Sequence, residues 1–286
     1  MNHLKHFCGL LIFFLSISIS HVKAKVIVSN SRVMSYNIRY DNPQDGLLSW
    51  SHRKDGVLSL LHFHQPDILC VQEALDHQVK DLNKGLSKFE YVGVGRDDGK
   101  EKGEYAAIFY NKEKYKKIDQ GHFWLSSTPE KASLGWDAAC IRICSWVKLR
   151  DKISRKVLFV FNTHFDHVGT KAQQESAKLI LKKVQSLTED QKYPFVLTGD
   201  FNLNPNHKPI QLLSKKMDDS KLVSRTKPYG PDGTFTGFNF NHKLDSRIDY
   251  IFVREEMIVK RYAVLSDSKN QNYYSDHLPV MVDIKY

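Results

Sequence analysis

The sequence predicts one domain of mixed α and β structure, and three observations lead to this prediction. Strand-like apolar runs alternate with segments of helical spacing, an order typical of helices packed on a sheet. The chain has 286 residues with 41% hydrophobic and 12% aromatic content, which is enough to bury a full core. No Gly/Ser-rich linker, internal repeat or change in composition divides it. We therefore treat residues 25–286 as a single domain.

The first 24 residues differ from this domain and predict a secretory signal. Basic residues near the N-terminus precede an apolar run over residues 7–19, and Val22-Lys23-Ala24 offers a small-residue cleavage site. A membrane anchor is the alternative, but the run is shorter than the roughly 20 residues that span a bilayer. We expect cleavage after Ala24 and a secreted or periplasmic mature protein.

The charge of the mature chain favours anionic partners. The full sequence has a formal charge of +10, and losing Lys5 and Lys23 with the first 24 residues leaves +8. Nucleic acid, phosphorylated metabolites and anionic lipid all agree with this charge, which does not select among them.

The three cysteines of the mature chain predict no disulfide framework. Cys70 lies in an apolar run and is expected to be a core thiol. Cys140 and Cys144 would lie too far apart to be bridged within one strand, although their oxidation state is left open.

The N-terminal half of the domain alternates strands with helices. Residues 32–40 alternate in polarity as a strand, with Asn37 near its end. A helix follows over residues 52–64, and Gln65-Pro66 ends it. A buried strand over residues 67–73 then ends in the carboxylate of Glu73. The remaining elements of this half are expected as a helix over 78–86 and strands over 90–94, 104–110, 114–118 and 121–125.

The C-terminal half begins with a pair of strands. Residues 139–149 alternate in polarity, and residues 157–161 are expected to pair with them and to lead to His164. Gly169-Thr170 opens a long helix that continues to about residue 187. The later elements are expected as a strand ending at Asp200, a short helix over 207–213, and strands over 248–253, 258–264 and 279–284.

The stretch Val196-Leu197-Thr198-Gly199-Asp200-Phe201-Asn202 is the strongest indication of a functional site. It presents a carboxylate and an amide two positions apart, and on an extended backbone both side chains point the same way. An ordinary strand-to-loop turn is the alternative, because Gly-Asp and Asn-Pro are common in loops. Polar residues stand at or beside the ends of other predicted strands as well, and this favours function: Asn37, Glu73, His164, Asp249, Asp276 and His277.

Converged strand ends would form a site rich in carboxylates, with two amides, two imidazoles and no cysteine or serine nucleophile. Oxygen ligands of this kind suit Mg²⁺ or Mn²⁺ better than zinc, which prefers nitrogen and sulfur. A hard cation among acids and histidines suggests hydrolysis of a phosphate ester. Each residue taken singly also has an ordinary structural explanation, such as a capped turn or a core histidine.

The ordered set Gln72-Glu73, Gly199-Asp200-Phe201-Asn202, Arg247-Ile248-Asp249-Tyr250 and Ser275-Asp276-His277-Leu278-Pro279-Val280, with Asn37 upstream, resembles the endonuclease/exonuclease/phosphatase (DNase I-like) superfamily. The resemblance covers residues 32–283. It implies an α+β fold of four layers, α/β/β/α, in which a two-sheet β-sandwich is flanked by helices.

The resemblance also implies roles for individual residues. The metal Mg²⁺ or Mn²⁺ would be bound by Glu73, with Asn37 beside it and Asp276 as a second contact. Asp200 and Asn202 match the pair that positions the attacking water and the phosphate. His277, oriented by Asp249, matches the general base or phosphate ligand. His164 matches the histidine that binds the phosphate or protonates the leaving group, and the implied reaction is in-line attack of water on phosphorus.

The substrate is left open among several phosphate esters. The first hypothesis is a secreted or periplasmic phosphodiesterase or phosphatase acting on nucleic acid, nucleotides or a sugar phosphate. A sphingomyelinase and a non-catalytic phosphate-binding module are the alternatives. Blocks such as Gly135–Arg142 resemble an uncharacterised exported bacterial subgroup, and two of their residues are candidate substrate contacts. Arg142, projecting from a strand, is expected to contact phosphate, and Trp136 to stack on a base or sugar or to pack within its loop. No stable protein partner is implied, and we expect a monomer.

Overall fold

The computed structural model describes residues 28–189 and 192–286. The predicted secretory signal over residues 1–24 lies outside the described residues, so it stays a prediction. Within these two ranges, no helix combines the length and apolar character needed to cross a bilayer.

The described chain alternates strands and helices in the expected order. The elements are β1 (Asn30–Asn37), a 3-10 helix (Pro43–Leu48), α1 (Trp50–His64), β2 (Ile68–Ala74), α2 (Asp76–Gly85), β3 (Phe89–Val92), β4 (Tyr105–Asn111), β5 (Tyr115–Trp124), β6 (Ile143–Asp151), β7 (Val157–His164), α3 (Thr170–Thr188), β8 (Phe195–Asp200), α4 (Lys208–Ser214), β9 (Asp218–Asp219), β10 (Asp249–Val253), β11 (Ile258–Val264), β12 (Ser268–Lys269), β13 (Asn272–Tyr273) and β14 (Val280–Lys285).

Two six-stranded sheets form the centre of the molecule. The first has the strand order β11-β14-β1-β2-β4-β3, and the second has the order β5-β6-β7-β8-β10-β9. In each sheet one central pair is parallel, β1 with β2 and β7 with β8, and its neighbours β14, β4, β6 and β10 are antiparallel to it. This arrangement matters for function because it brings the carboxyl ends of four strands to the same side as the amino ends of their antiparallel neighbours.

The hydrophobic clusters show that the sheets are stacked and covered by helices. One cluster joins side chains of both sheets, including Ile68 and Val196. A second packs α1 and α2 on the first sheet, and a third packs α3 and α4 on the second. The four-layer α/β/β/α sandwich implied by the resemblance is therefore confirmed.

A buried polar bridge ties the two sheets together beneath the strand ends. Asn162 on β7 donates from Nδ2 to the carbonyls of Val71 and Ala107 in the first sheet, at 2.8 and 2.9 Å. Its Oδ1 accepts from Gln72 Nε2 on β2 at 2.6 Å and from Thr198 Oγ1 on β8 at 3.2 Å. Because buried amides need such partners, the bridge fixes how the two sets of strand ends face each other.

Two details of the predicted elements were wrong. The segments 114–118 and 121–125 form one strand, β5, with a register shift between Lys117 and Asp119. Its middle residues are exposed because β5 lies at the edge of its sheet, so the apolar pattern is interrupted there. Residues 139–142 precede β6, because the backbone N–H groups of Ala139 and Cys140 donate to the Asp166 carboxylate.

The cysteines are all free thiols among the described residues. Cys70 and Cys144 are buried, which confirms Cys70 as a core residue, and Cys140 is partly exposed. Cys144 lies on β6 and Cys140 lies in the loop before it, so the two do not share a strand.

Candidate active site

The polar residues predicted at the strand ends meet at one side of the sandwich. Asn37, Glu73, His164 and Asp200 lie at or near the carboxyl ends of β1, β2, β7 and β8. Asp249 begins the antiparallel strand β10, directly opposite Asp200. Asp276 and His277 lie in the loop that leads to β14. The expectation that these strand ends converge is met.

Asp200 lies at the centre of this cluster. Its Oδ2 accepts from Asn37 Nδ2 at 2.9 Å and lies 3.6 Å from His277 Nε2 and 3.5 Å from His164 Nε2. The side chain is 1% exposed. Burial, with the nearby Asp249 carboxylate as a second cause, raises the pKa of Asp200 to about 7. An acid with such a pKa can accept a proton near neutral pH.

The second centre is a buried pair formed by His277 and Asp249. His277 Nδ1 lies 2.9 Å from Asp249 Oδ2, and both residues are at most 4% exposed. Burial acts to lower the pKa of His277, but the carboxylates of Asp249 and Asp200 outweigh it and hold that pKa well above its usual range. The imidazole is therefore held in its charged form, with Nε2 as a hydrogen-bond donor beside Asp200.

Glu73 and Asn37 form the other side of the cluster. Asn37 Nδ2 donates to Glu73 Oε1 at 3.0 Å, and the Tyr40 backbone N–H donates to Glu73 Oε2 at 3.2 Å. Asn37 Oδ1 accepts from the Arg39 backbone N–H at 3.0 Å. The amide of Asn37 thus presents its nitrogen to Glu73 and Asp200, so in this structure it orients the two carboxylates.

Asp276 lies beside these groups at the mouth of the cluster. Its Oδ2 is 3.8 Å from Arg39 Nε, and Arg39 Nη1 is 4.0 Å from Glu73 Oε2. Burial is the main cause that raises the pKa of Asp276, and the charge of Glu73 adds to it. A cation between these carboxylates would offset the repulsion.

His164 and Asn202 occupy the opposite side of Asp200. Asn202 Nδ2 donates to the Phe165 carbonyl and to His164 Nε2, both at 3.0 Å. Because Nε2 accepts this bond, the proton of the neutral ring resides on Nδ1. Burial and the positive charge of Arg142 hold the pKa of His164 well below its usual range, so the ring is neutral.

The backbone beyond Asp200 is not extended, contrary to expectation. Asn202 has a φ of 53° and its backbone N–H donates to Asp200 Oδ1 at 2.9 Å. The tight turn brings both side chains to the same cluster, by a different geometry from that of a strand. Gly199 permits the approach of β7 and β8, because a Cβ at this position would lie 2.3 Å from the carbonyl oxygen of Thr163.

The cluster opens into a cleft with a volume of about 550 Å³. Several lining residues had not been predicted from the sequence: Arg39, Tyr40, Arg96, Glu104, Cys140, His167, Phe235 and Ile248. Glu104 immediately precedes β4 and begins the predicted strand over residues 104–110, so it stands at a strand end like the predicted site residues. The loop residue Arg96 gives no comparable sign in the sequence.

The two predicted substrate contacts differ in position. Arg142 lines the cleft, with Nη2 3.2 Å from His167 Nδ1, but it precedes β6 and does not project from a strand. Trp136 is half-buried in the preceding loop with a φ of 44° and does not line the cleft. The position of Trp136 therefore does not support the prediction that it stacks on a substrate. It agrees with the alternative, in which Trp136 packs within its loop.

The donor chemistry fits a divalent cation. Ligand atoms of Glu73, His164 and Asp200 lie within 4.8 Å of one another, as do those of Asp200, Asp249 and His277. Carboxylate oxygens dominate both groups, which suits a hard cation. Glu73 and Asp276 both line the cleft, and their ion pairs with Arg39 are long, at 4.0 and 3.8 Å, so these two carboxylates are the best placed to bind the cation.

Comparison with known proteins agrees with this site. The model of the endonuclease/exonuclease/phosphatase family matches residues 34–277, a range that includes every group of the cluster. An uncharacterised protein of Acanthamoeba polyphaga mimivirus is 29% identical over 247 residues, covering 82% of this chain and 91% of its own length. Human nocturnin is 24% identical over 89% of this chain, which spans 65% of the nocturnin sequence.

Solved structures extend the comparison. An endonuclease/exonuclease/phosphatase family protein of Bacteroides thetaiotaomicron has a TM-score of 0.87 and 39% identity, covering 91% of this chain and 99% of its own. A mannosyl-6-phosphatase from the same organism has a TM-score of 0.86 and 40% identity, covering 89% and 99%. The chain therefore belongs to the endonuclease/exonuclease/phosphatase family and is a hydrolase of phosphate esters.

Proposed function

We propose that this chain is an exported, Mg²⁺-dependent phosphatase that releases phosphate from a phosphorylated sugar. The observation that carries the choice of substrate is the 40% identity to a mannosyl-6-phosphatase, which extends over 89% of this chain. The lining of the cleft agrees with a small polar substrate, because charged and hydrogen-bonding side chains dominate it.

In the proposed reaction, Asp200 accepts a proton from the attacking water. Its pKa of about 7 suits a base at neutral pH, and Asn37 and Asn202 hold its two oxygens in place. His277 is held charged by Asp249, so it donates from Nε2 to a phosphate oxygen and does not act as the base. Of the two roles implied for His277, the proposal adopts that of phosphate ligand.

Glu73 and Asp276 would hold the Mg²⁺, with Asn37 orienting Glu73. When bound, the cation would neutralise charge on a phosphate oxygen and on the leaving group. The oxygen-rich donor set supports a hard cation, and the ionic radius and coordination of Mg²⁺ suit phosphate substrates.

Export is proposed from the composition of residues 1–24. The short apolar run behind basic residues and the small-residue site at Ala24 support it. Expression of the full chain in a bacterial host, followed by fractionation and N-terminal sequencing, tests this part. We expect a mature protein that begins at Lys25 outside the cytoplasm, and a full-length cytoplasmic product would contradict it.

The activity is tested on a panel of substrates: mannose 6-phosphate, other sugar phosphates, nucleotides, RNA, DNA and sphingomyelin. We expect phosphate release from sugar phosphates with Mg²⁺, none after chelation, and a loss of several orders of magnitude in His277→Ala. The exposed His242 provides the matched control, His242→Ala, which should keep full activity. Turnover of only RNA, nucleotides or sphingomyelin would reject the sugar phosphate, and no turnover of any substrate would favour a binding module.

A further inference from the structure

One wall of the cleft, next to His164, is formed by two arginines with a glutamate between them. Glu104 Oε2 accepts from Arg96 Nη1 at 2.5 Å and lies 3.8 Å from Arg142 Nη1. The same oxygen is 3.7 Å from His164 Nδ1. We call Arg96, Glu104 and Arg142 the Arg–Glu–Arg wall. It lies on the Nδ1 side of His164.

Several polar atoms of this wall are buried and make no hydrogen bond within the described residues. They include Nε and Nη1 of Arg142, which is 5% exposed, together with Arg96 Nε and His164 Nδ1. Arg142 Nε lies 3.7 Å from Asp166 Oδ2, beyond hydrogen-bond range. A cavity of about 10 Å³, large enough for about one water, lies among Arg96, Glu104, Arg142 and His164. Buried charged donors without a hydrogen bond are costly, so these atoms are available to a water or to a hydroxyl group of a ligand.

The chemistry of the wall selects among possible ligand groups. A second phosphate would be repelled by the Glu104 carboxylate between the two arginines. A nucleobase stacks on an exposed aromatic face or guanidinium plane, and the side chains of Arg96 and Arg142 are only 14% and 6% exposed. The aromatic lining residues lie elsewhere, since Phe235 packs edge-on against His277 and the Tyr40 ring is covered by Arg39. A hydroxyl group can donate to Glu104 and accept from Arg142 at once, so a polyhydroxylated group fits the wall best.

We propose that the Arg–Glu–Arg wall is the subsite that recognises the hydroxyl groups of the substrate's sugar, with Glu104 as the acceptor and Arg142 and Arg96 as donors. This inference rests on the proposed function, because it assigns the part of the cleft that holds the sugar while His277 Nε2 donates to the phosphate beside Asp200. It gives Glu104 a role in selecting the substrate, separate from its proximity to His164.

The test compares two substrates that share a primary alkyl leaving group. Mannose 6-phosphate carries ring hydroxyls, and cyclohexylmethyl phosphate has none. We measure kcat/KM for both in the wild type, in Glu104→Gln and in the matched control Glu101→Gln, whose glutamate is exposed in the preceding loop. We expect Glu104→Gln to lower the kcat/KM for mannose 6-phosphate, relative to that for cyclohexylmethyl phosphate, by about 10- to 100-fold. This is the effect of a hydrogen bond to a charged group. Glu101→Gln should leave the ratio unchanged.

Equal losses on both substrates in Glu104→Gln would overturn the inference, since that is the result expected if Glu104 acts only through His164. If the variant does not fold, the 2-, 3- and 4-deoxy analogues of mannose 6-phosphate are compared on the wild type. At least one should lose tenfold or more in kcat/KM, and no loss in any of them overturns the subsite. Failure of the wild type on every sugar phosphate would reject the proposed function together with the subsite, whereas an unchanged ratio in an active enzyme rejects the subsite alone.

Discussion

Replacing Asp200 by Asn tests whether the buried, ionised Asp200 carboxylate lowers the stability of the folded protein while it is required for catalysis. Asp200 is 1% exposed and lies opposite Asp249, and its pKa is raised from 3.8 to about 7. Each pKa unit corresponds to about 1.4 kcal/mol. In the metal-free protein, ionised Asp200 therefore costs the folded state on the order of 4 kcal/mol at alkaline pH.

The direction in which folding stability changes with pH follows from proton binding. Because the pKa is higher in the folded state, the unfolded chain loses this proton first, and folding stability falls as pH rises from about 4 to about 7. Because Asn does not ionise, Asp200→Asn removes this loss of stability with rising pH. The variant also loses one acceptor for Asn37 or Asn202, which costs about 1–2 kcal/mol at every pH. We expect the variant to be less stable than the wild type near pH 4 and more stable, by roughly 1–3 kcal/mol, near pH 8.

The assay is urea denaturation of chelator-treated protein between pH 4 and pH 8.5, followed by far-UV circular dichroism. Asp55→Asn, at an exposed position on α1, serves as the matched control and should follow the wild type throughout. In parallel, Asp200→Asn should lose several orders of magnitude in kcat while it remains folded. If the plots of unfolding free energy against pH are parallel for Asp200→Asn and the wild type over the whole range, the reasoning is refuted.

Three further predictions concern other parts of the site. Glu73→Gln should abolish the rise in Tm that Mg²⁺ produces in the wild type, measured by calorimetry with and without the ion, and an undiminished rise would exclude Glu73 as a metal ligand. Asp249→Asn removes the negative charge 2.9 Å from His277, so NMR titration should show a lowered pKa of His277 and turnover should fall about 10²- to 10⁴-fold; an unchanged titration would contradict the pairing. Asn162→Leu leaves Gln72 without its partner between the sheets and should cost roughly 2–5 kcal/mol of stability in urea denaturation, whereas a loss below about 0.5 kcal/mol would show that the bridge is dispensable.

The site residues were accessible from sequence because most of them obey one rule. Asn37, Glu73, His164 and Asp200 each follow an apolar run, so the run marks the strand and the polar residue marks its carboxyl end. Glu104 stands at the amino end of β4, as Asp249 does at the amino end of β10, and it was overlooked although it obeys the same rule. Arg39 and Arg96 lie in loops, where no periodic pattern indicates which way a side chain turns.

The local geometry at Asp200 shows a different limit. The spacing of Asp200 and Asn202 correctly predicted that both side chains serve one site, but it predicted an extended backbone where the chain turns with φ 53° at Asn202. The turn is stabilised by contacts with His164 and Phe165, which are distant in sequence. Local propensity carries no information about such partners.

What the sequence by itself determined is the order of elements, the buried faces and the chemical character of the site, because periodicity and residue type are local properties of the chain. Only the tertiary structure decided that Arg96, Glu104 and Arg142 form one wall beside His164, and that the Asn37 amide nitrogen faces the carboxylates. It also decided the charges of the two histidines. His277 lies between two carboxylates and is charged, whereas His164 lies beside arginines and is neutral. Two histidines thus differ in charge because electrostatic energy depends on the distances between groups, and the chain brings these groups together only when it folds.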